Sequence, residues 1–246
     1  MPKAAVIIPA RWGSTRFPGK ALHPIHGKPL LQHVWERSSR ARGIDRVIVA
    51  TDDLRIAEAA FAFGAEVALT SPKHRSGTDR VAEVAAGLRG VKHVINVQGD
   101  EPLIDPALIS KLAKTLAQER KLEMITAANV IEDEAEIPNP NVVKVVIDRS
   151  SDALYFSRSP IPFIRDGGSI PFLRHQGIYG YTTAFLLRFV KWKAGRLEQA
   201  EQLEQLRALE NGARIRVLLT KHLSIGVDTP SDVALAERQF SPGSPR

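Results

Sequence analysis

The feature that most constrains the fold is a regular alternation of short apolar runs with segments of helical periodicity. Apolar runs occupy residues 4–9, 46–50, 65–69 and 93–97, and a helical pattern separates each run from the next. Parallel strands cannot be joined by a tight turn and need a long crossover, usually a helix. The alternation therefore predicts βαβ units and an α/β fold with a mostly parallel central sheet.

The second half of the chain has a different pattern. The runs "VVKVVID" and "ALYFSRS" are separated only by residues 149–152, which predicts an antiparallel hairpin added to the parallel sheet. We expect one domain over residues 1–246, in which residues from about 140 to 182 form a small inserted lobe, and a frayed tail from Ser241. The periodicity also predicts helices at residues 30–41, 54–63, 78–88, 183–192 and 197–210 and a strand at 214–219.

Composition and charge narrow the class of protein. The chain has no cysteine, which excludes disulfides and thiolate metal sites and fits a cytoplasmic protein. The net charge is +7, but the cations are spread along the chain and aromatic residues make up only 6%. A nucleic-acid-binding protein would carry a basic stripe interleaved with aromatic side chains, so we disfavour that function. The first apolar run is too short for a membrane span and lacks the layout of a signal peptide, so we expect no membrane insertion.

Four polar, glycine-bearing or acidic loops follow the predicted parallel strands or precede the helices after them. Open α/β sheets bind ligands outside the carboxyl ends of their strands. The sequence therefore predicts a binding site where these loops meet. They are "ARWGSTRFPGK", "TDD", "SPKHRSGTDR" and "QGDEP".

The first of these loops is rich in groups that bind anions. It lacks the G-x-G-x-x-G fingerprint of dinucleotide-binding proteins, and the spacing of Gly13 and Gly19 does not fit a P-loop. Glycine N–H groups can approach a ligand closely, while cations and hydroxyls can bind phosphate oxygens. The loop predicts a triphosphate site, and the alternative is a solvated loop with incidental charge. Its charged and hydroxyl residues are Arg11, Ser14, Thr15, Arg16 and Lys20.

Two carboxylates are candidate metal ligands. Asp100 follows a predicted strand in "NVQGDEPLI", and Asp228 precedes a predicted helix start in "GVDTPSDV". Each has an ordinary structural alternative, as a turn former for Asp100 and as an acid near a helix N-cap for Asp228. If the fold brings them together beside a triphosphate, they can hold Mg²⁺ through carboxylate and phosphate oxygens. "TDD" at residues 51–53 is better explained as a helix cap.

Eight colinear motifs resemble one enzyme family, 3-deoxy-D-manno-octulosonate (Kdo) cytidylyltransferase, over residues 4 to about 238. The resemblance implies a Rossmann-like nucleotidyltransferase fold with a mixed sheet, and a homodimer. It also implies that CTP and Kdo give CMP-Kdo and pyrophosphate, with Mg²⁺, in the bacterial cytoplasm on the route to lipopolysaccharide. The motifs are "IIPARWGSTRFPGKAL", "VATDD", "HRSGTDR", "NVQGDEPLI", "ALYFSRSPIP", "HQGIYGY", "LEQLRALENG" and "GVDTPSD".

The resemblance also assigns roles to residues. It implies catalytic roles for Lys20, Asp100 and Asp228, of which the two aspartates hold the metal. The implied nucleotide-binding residues are Ala10, Arg11, Ser14, Arg16, Lys20, Ser76, Gly77 and Gln98. The implied sugar-binding residues are Arg158, His175, Tyr179, Glu204 and Gln205.

The sugar acid itself is less closely defined by the sequence. "HQGIYGY" favours Kdo, while a related acid such as 8-amino-Kdo is the alternative. Enzymes acting on sialic acid normally have Lys where this chain has Thr15, which counts against that branch. The stretch "IRDGGSIP" is short for the family, so the sequence does not define the rim of the sugar pocket.

Overall fold

A mixed β-sheet covered by helices on both faces forms the frame of the protein. The computed structural model describes residues 3–13, 17–165, 170–224 and 226–240. No helix in these ranges is long and apolar enough to cross a membrane. The strands are β1 (Lys3–Ala10), β2 (Pro24–Ile25), β3 (Lys28–Pro29), β4 (Arg46–Thr51), β5 (Glu66–Leu69), β6 (Val91–Asn96), β7 (Met124–Val130), β8 (Lys144–Ile147), β9 (Ala153–Ser157), β10 (Leu173–Thr182) and β11 (Ile215–Leu219). The helices are α1 (Leu30–Ser39), α2 (Leu54–Ala62), α3 (Gly77–Gly87), α4 (Pro106–Gln118), α5 (Thr183–Phe189), α6 (Arg196–Glu201), α7 (Gln205–Glu210) and α8 (Pro230–Phe240).

The sheet is mostly parallel, which confirms the prediction from the apolar runs. Its strand order is β11-β7-β10-β6-β1-β4-β5. β1 pairs in parallel with β4 and β6, β4 with β5, and β11 with β7. β10 runs antiparallel to both of its neighbours, β6 and β7. The carboxyl ends of β1, β4 and β6 therefore lie at one edge of the sheet, and the loops that follow them meet there.

The alternating side chains of β1 belong to two separate hydrophobic clusters. Ala4, Val6 and Ile8 lie in the cluster that includes α1, α2, α4 and α8. Ala5 and Ile7 lie in the cluster that includes α3, α5 and α7. A strand buried on both faces is a continuous apolar run, because neither face contacts water. This is why β1 could be predicted from "AAVII" alone.

The antiparallel hairpin predicted in the second half is present. β8 pairs with β9, with Lys144 opposite Ser157, and β8 also pairs with β10 through Val145 and Leu173. The stretch from about 140 to 182 therefore ends in a strand of the central sheet. Its expected roles in sugar binding and dimerisation stay predictions, and the tail from Ser241 lies outside the described residues.

The single helix predicted at residues 197–210 is wrong. The chain forms two short helices, α6 and α7, because Gln202 adopts a left-handed conformation with φ 52°. A left-handed residue cannot continue a right-handed helix. The break leaves Leu203 buried and starts a new helix, α7, directly after Glu204.

Side-chain caps fix the starts of α2 and α3 at the edge of the sheet where the carboxyl ends of β1, β4 and β6 lie. Asp53 accepts a hydrogen bond from the N–H of Arg55 at 3.0 Å and is the N-cap of α2, as predicted for "TDD". Ser76 and Asp79 form a reciprocal capping box at the start of α3. Such caps satisfy N–H groups that have no partner within the helix. They hold the loops before α2 and α3 in one conformation.

Gly180 allows β10 to pack closely against the helix layer. A Cβ atom at this position would lie 2.7 Å from Ile125 Cγ2, 2.8 Å from Leu116 Cδ1 and 3.0 Å from Ile95 Cδ1. These distances are too short for carbon atoms in van der Waals contact. A side chain at position 180 would therefore displace these three side chains from their packing against β10.

We predict that Gly180→Ala lowers the free energy of unfolding by about 1–3 kcal/mol, because it overfills a packed core. The matched control is Gly87→Ala at the exposed end of α3, where no heavy atom lies within 4 Å of the added Cβ. The control should be neutral or up to about 1 kcal/mol more stable, since alanine favours helix. Urea unfolding followed by circular dichroism measures both. Equal stability of the two variants would contradict the packing argument.

Candidate active site

A cleft lies at the carboxyl ends of the parallel strands, where the loops were expected to meet. It has a cavity of about 300 Å³ next to a second chamber of about 460 Å³. The two share the walls formed by Arg75, Ser76, Gly77 and Gln98. Their volumes are in the range of small-molecule sites. Ala10, Arg11, Lys20, Asp100 and Asp228 also line the first cavity.

The cation-bearing loop after β1 is anchored at both ends of its described part. The N–H of Gly19 donates to the carbonyl of Trp12 at 3.2 Å. The Arg55 guanidinium lies 3.5 Å from the centre of the Trp12 ring and pairs with Asp53 at 2.6 Å. A cation over an indole ring is attracted to the ring face. The loop is thus tied to the start of α2, while Ser14 and Arg16 lie outside the described residues.

Lys20 lies between the two candidate metal-binding carboxylates. Its Nζ atom is 2.7 Å from Asp100 Oδ2 and 3.2 Å from Asp228 Oδ1. The backbone brings the two acids together, because the N–H of Val227 donates to the carbonyl of Asp100 at 2.8 Å. A Cβ at Gly99 would lie 2.8 Å from the carbonyl oxygen of Pro9, so this close approach requires glycine. The fold joins three segments that are distant in sequence.

The structural alternatives for these acids hold in part, because Asp100 does lie in a turn, between Gln98 and Glu101. Asp232, not Asp228, accepts hydrogen bonds at the start of α8, from the N–H groups of Asp228 and Thr229 at 3.0 and 2.8 Å. The carboxylate of Asp228 is directed toward Lys20 instead. The turn after β6 is closed by a backbone bond from Glu101 to Gln98 at 3.3 Å.

The donor set fits Mg²⁺. Asp100 and Asp228 offer hard carboxylate oxygens close enough to share one ammonium group. Mg²⁺ is commonly held by one or two carboxylates, with substrate phosphates and water completing its coordination. Among the described residues no group of three or more His, Cys, Asp or Glu side chains could form a closed metal site. A pair of acids in a cation-lined cleft suits a metal that arrives with a phosphate ligand.

Glu101 is a buried carboxyl next to this pair that the sequence did not single out. Burial raises its pKa to about 7, with a further contribution from the charge of Asp100. The hydroxyl of Ser224 donates to Glu101 Oε2 at 3.0 Å and opposes the rise. The carboxyl group of Glu101, which can take up a proton near neutral pH, therefore neighbours Asp100.

The start of α3 forms part of the wall of the first cavity. The predicted nucleotide-binding residues Ser76 and Gly77 lie here, and a Cβ at Gly77 would be 3.4 Å from the side chain of Pro9. Arg80, one helical turn further, lines the same cavity and pairs with Asp52 at 2.9 Å. Arg80 was missed from sequence. Its spacing from Ser76 on a capped helix is the signal that could have identified it.

The second chamber is lined by paired charges and hydroxyls. The Thr78 hydroxyl donates to the carboxylate of Glu204, one of the predicted sugar-binding residues. Burial raises the pKa of Glu204, and its hydrogen bonds from Thr78 and Ser76 oppose the rise. Arg207 makes two hydrogen bonds to Glu198, at 2.8 and 2.5 Å. Glu198 and Arg207 were not predicted, and they provide both a cation and acceptors beside the shared wall.

The other four predicted sugar-binding residues lie outside the walls of both chambers, as far as the described residues define them. Arg158 donates to the carbonyls of Pro140 and Glu201 at 2.8 and 2.7 Å. Gln205 is buried at the start of α7. The remaining two, His175 and Tyr179, pack together in β10 with ring centroids 5.4 Å apart. Their roles toward a sugar stay predictions.

The sheet topology and the cleft are those of an α/β nucleotidyltransferase. The family model described as Cytidylyltransferase matches residues 5–215. A 3-deoxy-manno-octulosonate cytidylyltransferase of Geobacter sulfurreducens is 52% identical over 92% of this chain and 95% of that protein. An 8-amino-3,8-dideoxy-manno-octulosonate cytidylyltransferase of Shewanella frigidimarina is 48% identical over 97% and 99%. A solved structure of CMP:2-keto-3-deoxy-manno-octonic acid synthetase complexed with CTP superposes with a TM-score of 0.93, at 41% identity over 97% of this chain and 98% of that one.

The chain therefore belongs to the cytidylyltransferase family, in its branch of 3-deoxy-manno-octulosonate cytidylyltransferases. This confirms the family that the eight motifs resembled and the Rossmann-like fold expected from it.

We predict that His175 stays neutral in the folded protein far into acid. Burial lowers its pKa to about 3, whereas in an unfolded chain a histidine has a pKa of about 6.5. The unfolded chain thus binds a proton between pH 6.5 and 3 that the folded protein does not, so this histidine lowers stability as the pH falls through that window. The free energy of unfolding of His175→Gln should fall less than that of the unchanged protein between pH 6.5 and 4, measured by urea titration at each pH. An imidazole signal of His175 that titrates near pH 6 by NMR would contradict the prediction.

Proposed function

We propose that this protein transfers the cytidylyl group of CTP to Kdo and releases pyrophosphate. The observation that carries the proposal is the junction of Lys20 with Asp100 and Asp228 at the carboxyl ends of the parallel strands. This junction provides both a cation for phosphates and a carboxylate pair for Mg²⁺, in a cavity that continues into a second, polar chamber. The names of the curated relatives support the choice of CTP and Kdo.

In the proposed reaction the first cavity holds CTP with its triphosphate toward Arg11 and Lys20. Two opposite charges about 4 Å apart attract by about 4 kcal/mol at an effective dielectric of 20, against about 1 kcal/mol in water. A partly enclosed cleft therefore binds the triphosphate better than an exposed surface would. Arg16 joins this set by the family resemblance.

The second chamber would receive the sugar acid. Kdo carries a carboxylate and several hydroxyls, so its site needs a cation together with donors and acceptors. Arg75, Gln98, Glu204 and Arg207 supply them on the walls of this chamber. The two chambers are adjacent, because the same four residues line both of them. A sugar acid in the second chamber would therefore have its anomeric hydroxyl near the α-phosphorus of CTP in the first.

The chemical step is a direct displacement. The anomeric oxygen forms a bond to the α-phosphorus, the bond from the α-phosphorus to the bridging oxygen of the leaving pyrophosphate breaks, and the hydroxyl proton is released to solvent. Bound Mg²⁺ would lower the repulsion between the phosphates and the attacking oxygen. Lys20 would neutralise charge that develops on the leaving pyrophosphate, which is stabilisation specific to the transition state. The side chains around the two chambers hold the reactants in place.

The test of this function is pyrophosphate release from four nucleoside triphosphates with Kdo, 8-amino-Kdo and a sialic acid. We expect CTP with Kdo to give the highest kcat/KM, UTP to be weak, and ATP and GTP to be inactive. Purine turnover equal to that of CTP would overturn the nucleotide assignment. A higher kcat/KM for 8-amino-Kdo would replace Kdo with that acid.

We predict that turnover requires a divalent metal and both carboxylates of the pair. Asp100→Asn and Asp228→Asn should each lower kcat by orders of magnitude, because each removes charge from the metal-binding pair. The control is Asp45→Asn at the opposite edge of the sheet, where Asp45 accepts from the N–H of Ala4 at 2.8 Å. Steady-state rates at saturating Mg²⁺ and after EDTA treatment measure the effect. A folded Asp100→Asn or Asp228→Asn protein with near-normal kcat would remove that residue from the metal site.

We further propose that the protein is a homodimer that acts in the cytoplasm. The family resemblance supports the dimer, and the absence of cysteine from the sequence supports a reducing compartment. Light scattering after size-exclusion chromatography decides the oligomeric state, and a mass of one chain would exclude the dimer.

A further inference from the structure

A buried arginine lies on the wall of the proposed nucleotide site. Arg80 is only 5% exposed, yet it lines the first cavity together with Pro9, Ala10, Ser76 and Gly77. A buried cation is unfavourable unless it is paired and hydrogen-bonded. Two side chains that do not line the cavity, Asp52 and Thr70, pair with and hydrogen-bond the guanidinium of Arg80.

Asp52 and Thr70 hold the guanidinium in a fixed orientation. Arg80 Nη2 lies 2.9 Å from Asp52 Oδ1, in the loop after β4. Nη1 donates to the hydroxyl of Thr70, which directly follows β5. A guanidinium carries five N–H donors and no acceptor, and it does not lose its proton in proteins. Arg80 therefore brings to the cavity wall a rigid group that can donate but cannot accept.

The first cavity is lined by groups from different parts of the fold. Lys20, Asp100 and Asp228 are suited to phosphates and a metal, whereas Ser76, Gly77 and Arg80 belong to the start of α3. If the triphosphate binds at Lys20, the base is left with the part of the wall that includes Arg80.

Cytosine and uracil differ in what they offer to a donor-only group. Cytosine presents two adjacent acceptors, N3 and O2, whereas uracil presents an N–H donor at position 3. A donor that faces a donor in a buried site leaves both without a partner, and sites built in this way reject the wrong ligand strongly. A donor-only group that faces the N3 and O2 edge of the base is therefore complementary to cytosine, whereas in uracil it meets the N–H at position 3.

We propose that Arg80, held by Asp52 and Thr70, is the residue that makes the site select cytosine over uracil, by donating to the N3 and O2 edge of the base. The proposal rests on the proposed function, because it assumes that CTP binds in this cleft. It adds a specificity residue to the predicted pair Ser76 and Gly77, whose small size limits the volume of the base.

The first experiment compares the ratio of kcat/KM for CTP to that for UTP in variants of the full chain. Arg80→Met should lower this ratio at least about tenfold, and Arg80→Lys, which keeps the charge but loses the planar fork, should give an intermediate ratio. The matched control is Arg216→Met, which breaks a half-buried pair with Asp152 at 2.7 Å on β11. The control should leave the ratio unchanged. A folded, active Arg80→Met protein with an unchanged ratio would overturn the proposal.

The second experiment changes the nucleotide instead of the protein. 3-Deaza-CTP has a C–H group in place of N3 and keeps the 4-amino group and O2. The unchanged protein should use it at least about tenfold less well than CTP, while Arg80→Met should show little further loss. Fully additive losses would mean that Arg80 and N3 do not interact.

The two experiments separate this inference from the proposed function. If none of the sugar acids supports turnover of CTP by the unchanged protein, the proposed function fails. If it is specific for CTP but uses 3-deaza-CTP as well as CTP, only the role of Arg80 fails. This second comparison needs no variant, so it can overturn the role of Arg80 even if Arg80→Met does not fold, and Arg80→Lys then takes the place of Arg80→Met in the test of additivity.

Discussion

The contact of Lys20 with Asp100 and Asp228 is the interaction on which the rest of the site depends. It joins the loop after β1, the loop after β6 and the segment before α8. A backbone bond between Val227 and Asp100 and the close approach of Gly99 to Pro9 hold the three segments in register. Charges of both signs are thereby concentrated at one edge of the sheet, and the cleft gains its polar character from them.

Further paired charges give the cleft its shape. Arg80 lines the first cavity and pairs with Asp52 outside it, whereas Arg207 and Glu198 pair with each other on the wall of the second chamber. In a partly desolvated site such networks hold side chains rigidly, because an unpaired member would be costly. The side chains of the cleft walls are thus held in place by contacts within the chain.

Much of the fold could be predicted from local patterns, and the exceptions have physical reasons. β1 is buried on both faces, so its sequence is continuously apolar and easily recognised. β10 was missed because "LRHQGIYGYT" contains many polar residues, although it occupies the middle of the sheet. The break at Gln202 was missed because a helical apolar pattern continues across it, and a left-handed glutamine has no sequence signal. In both cases tertiary packing overrode local preference.

The sequence by itself determined the parallel core, the helix caps and the chemistry available to the site: a loop rich in cations and two acids in strand-end and helix-start positions. The colinear motifs also determined the family, since each preserves chemistry at a particular point of the fold. Only the tertiary structure decided which groups meet. Lys20, Asp100 and Asp228 are brought together by β-sheet pairing and a single backbone bond, and Arg80 faces the cavity because Asp52 and Thr70 come from neighbouring strands. Sequence defines the side chains and their local structure, whereas distances between remote segments follow from packing of the whole chain.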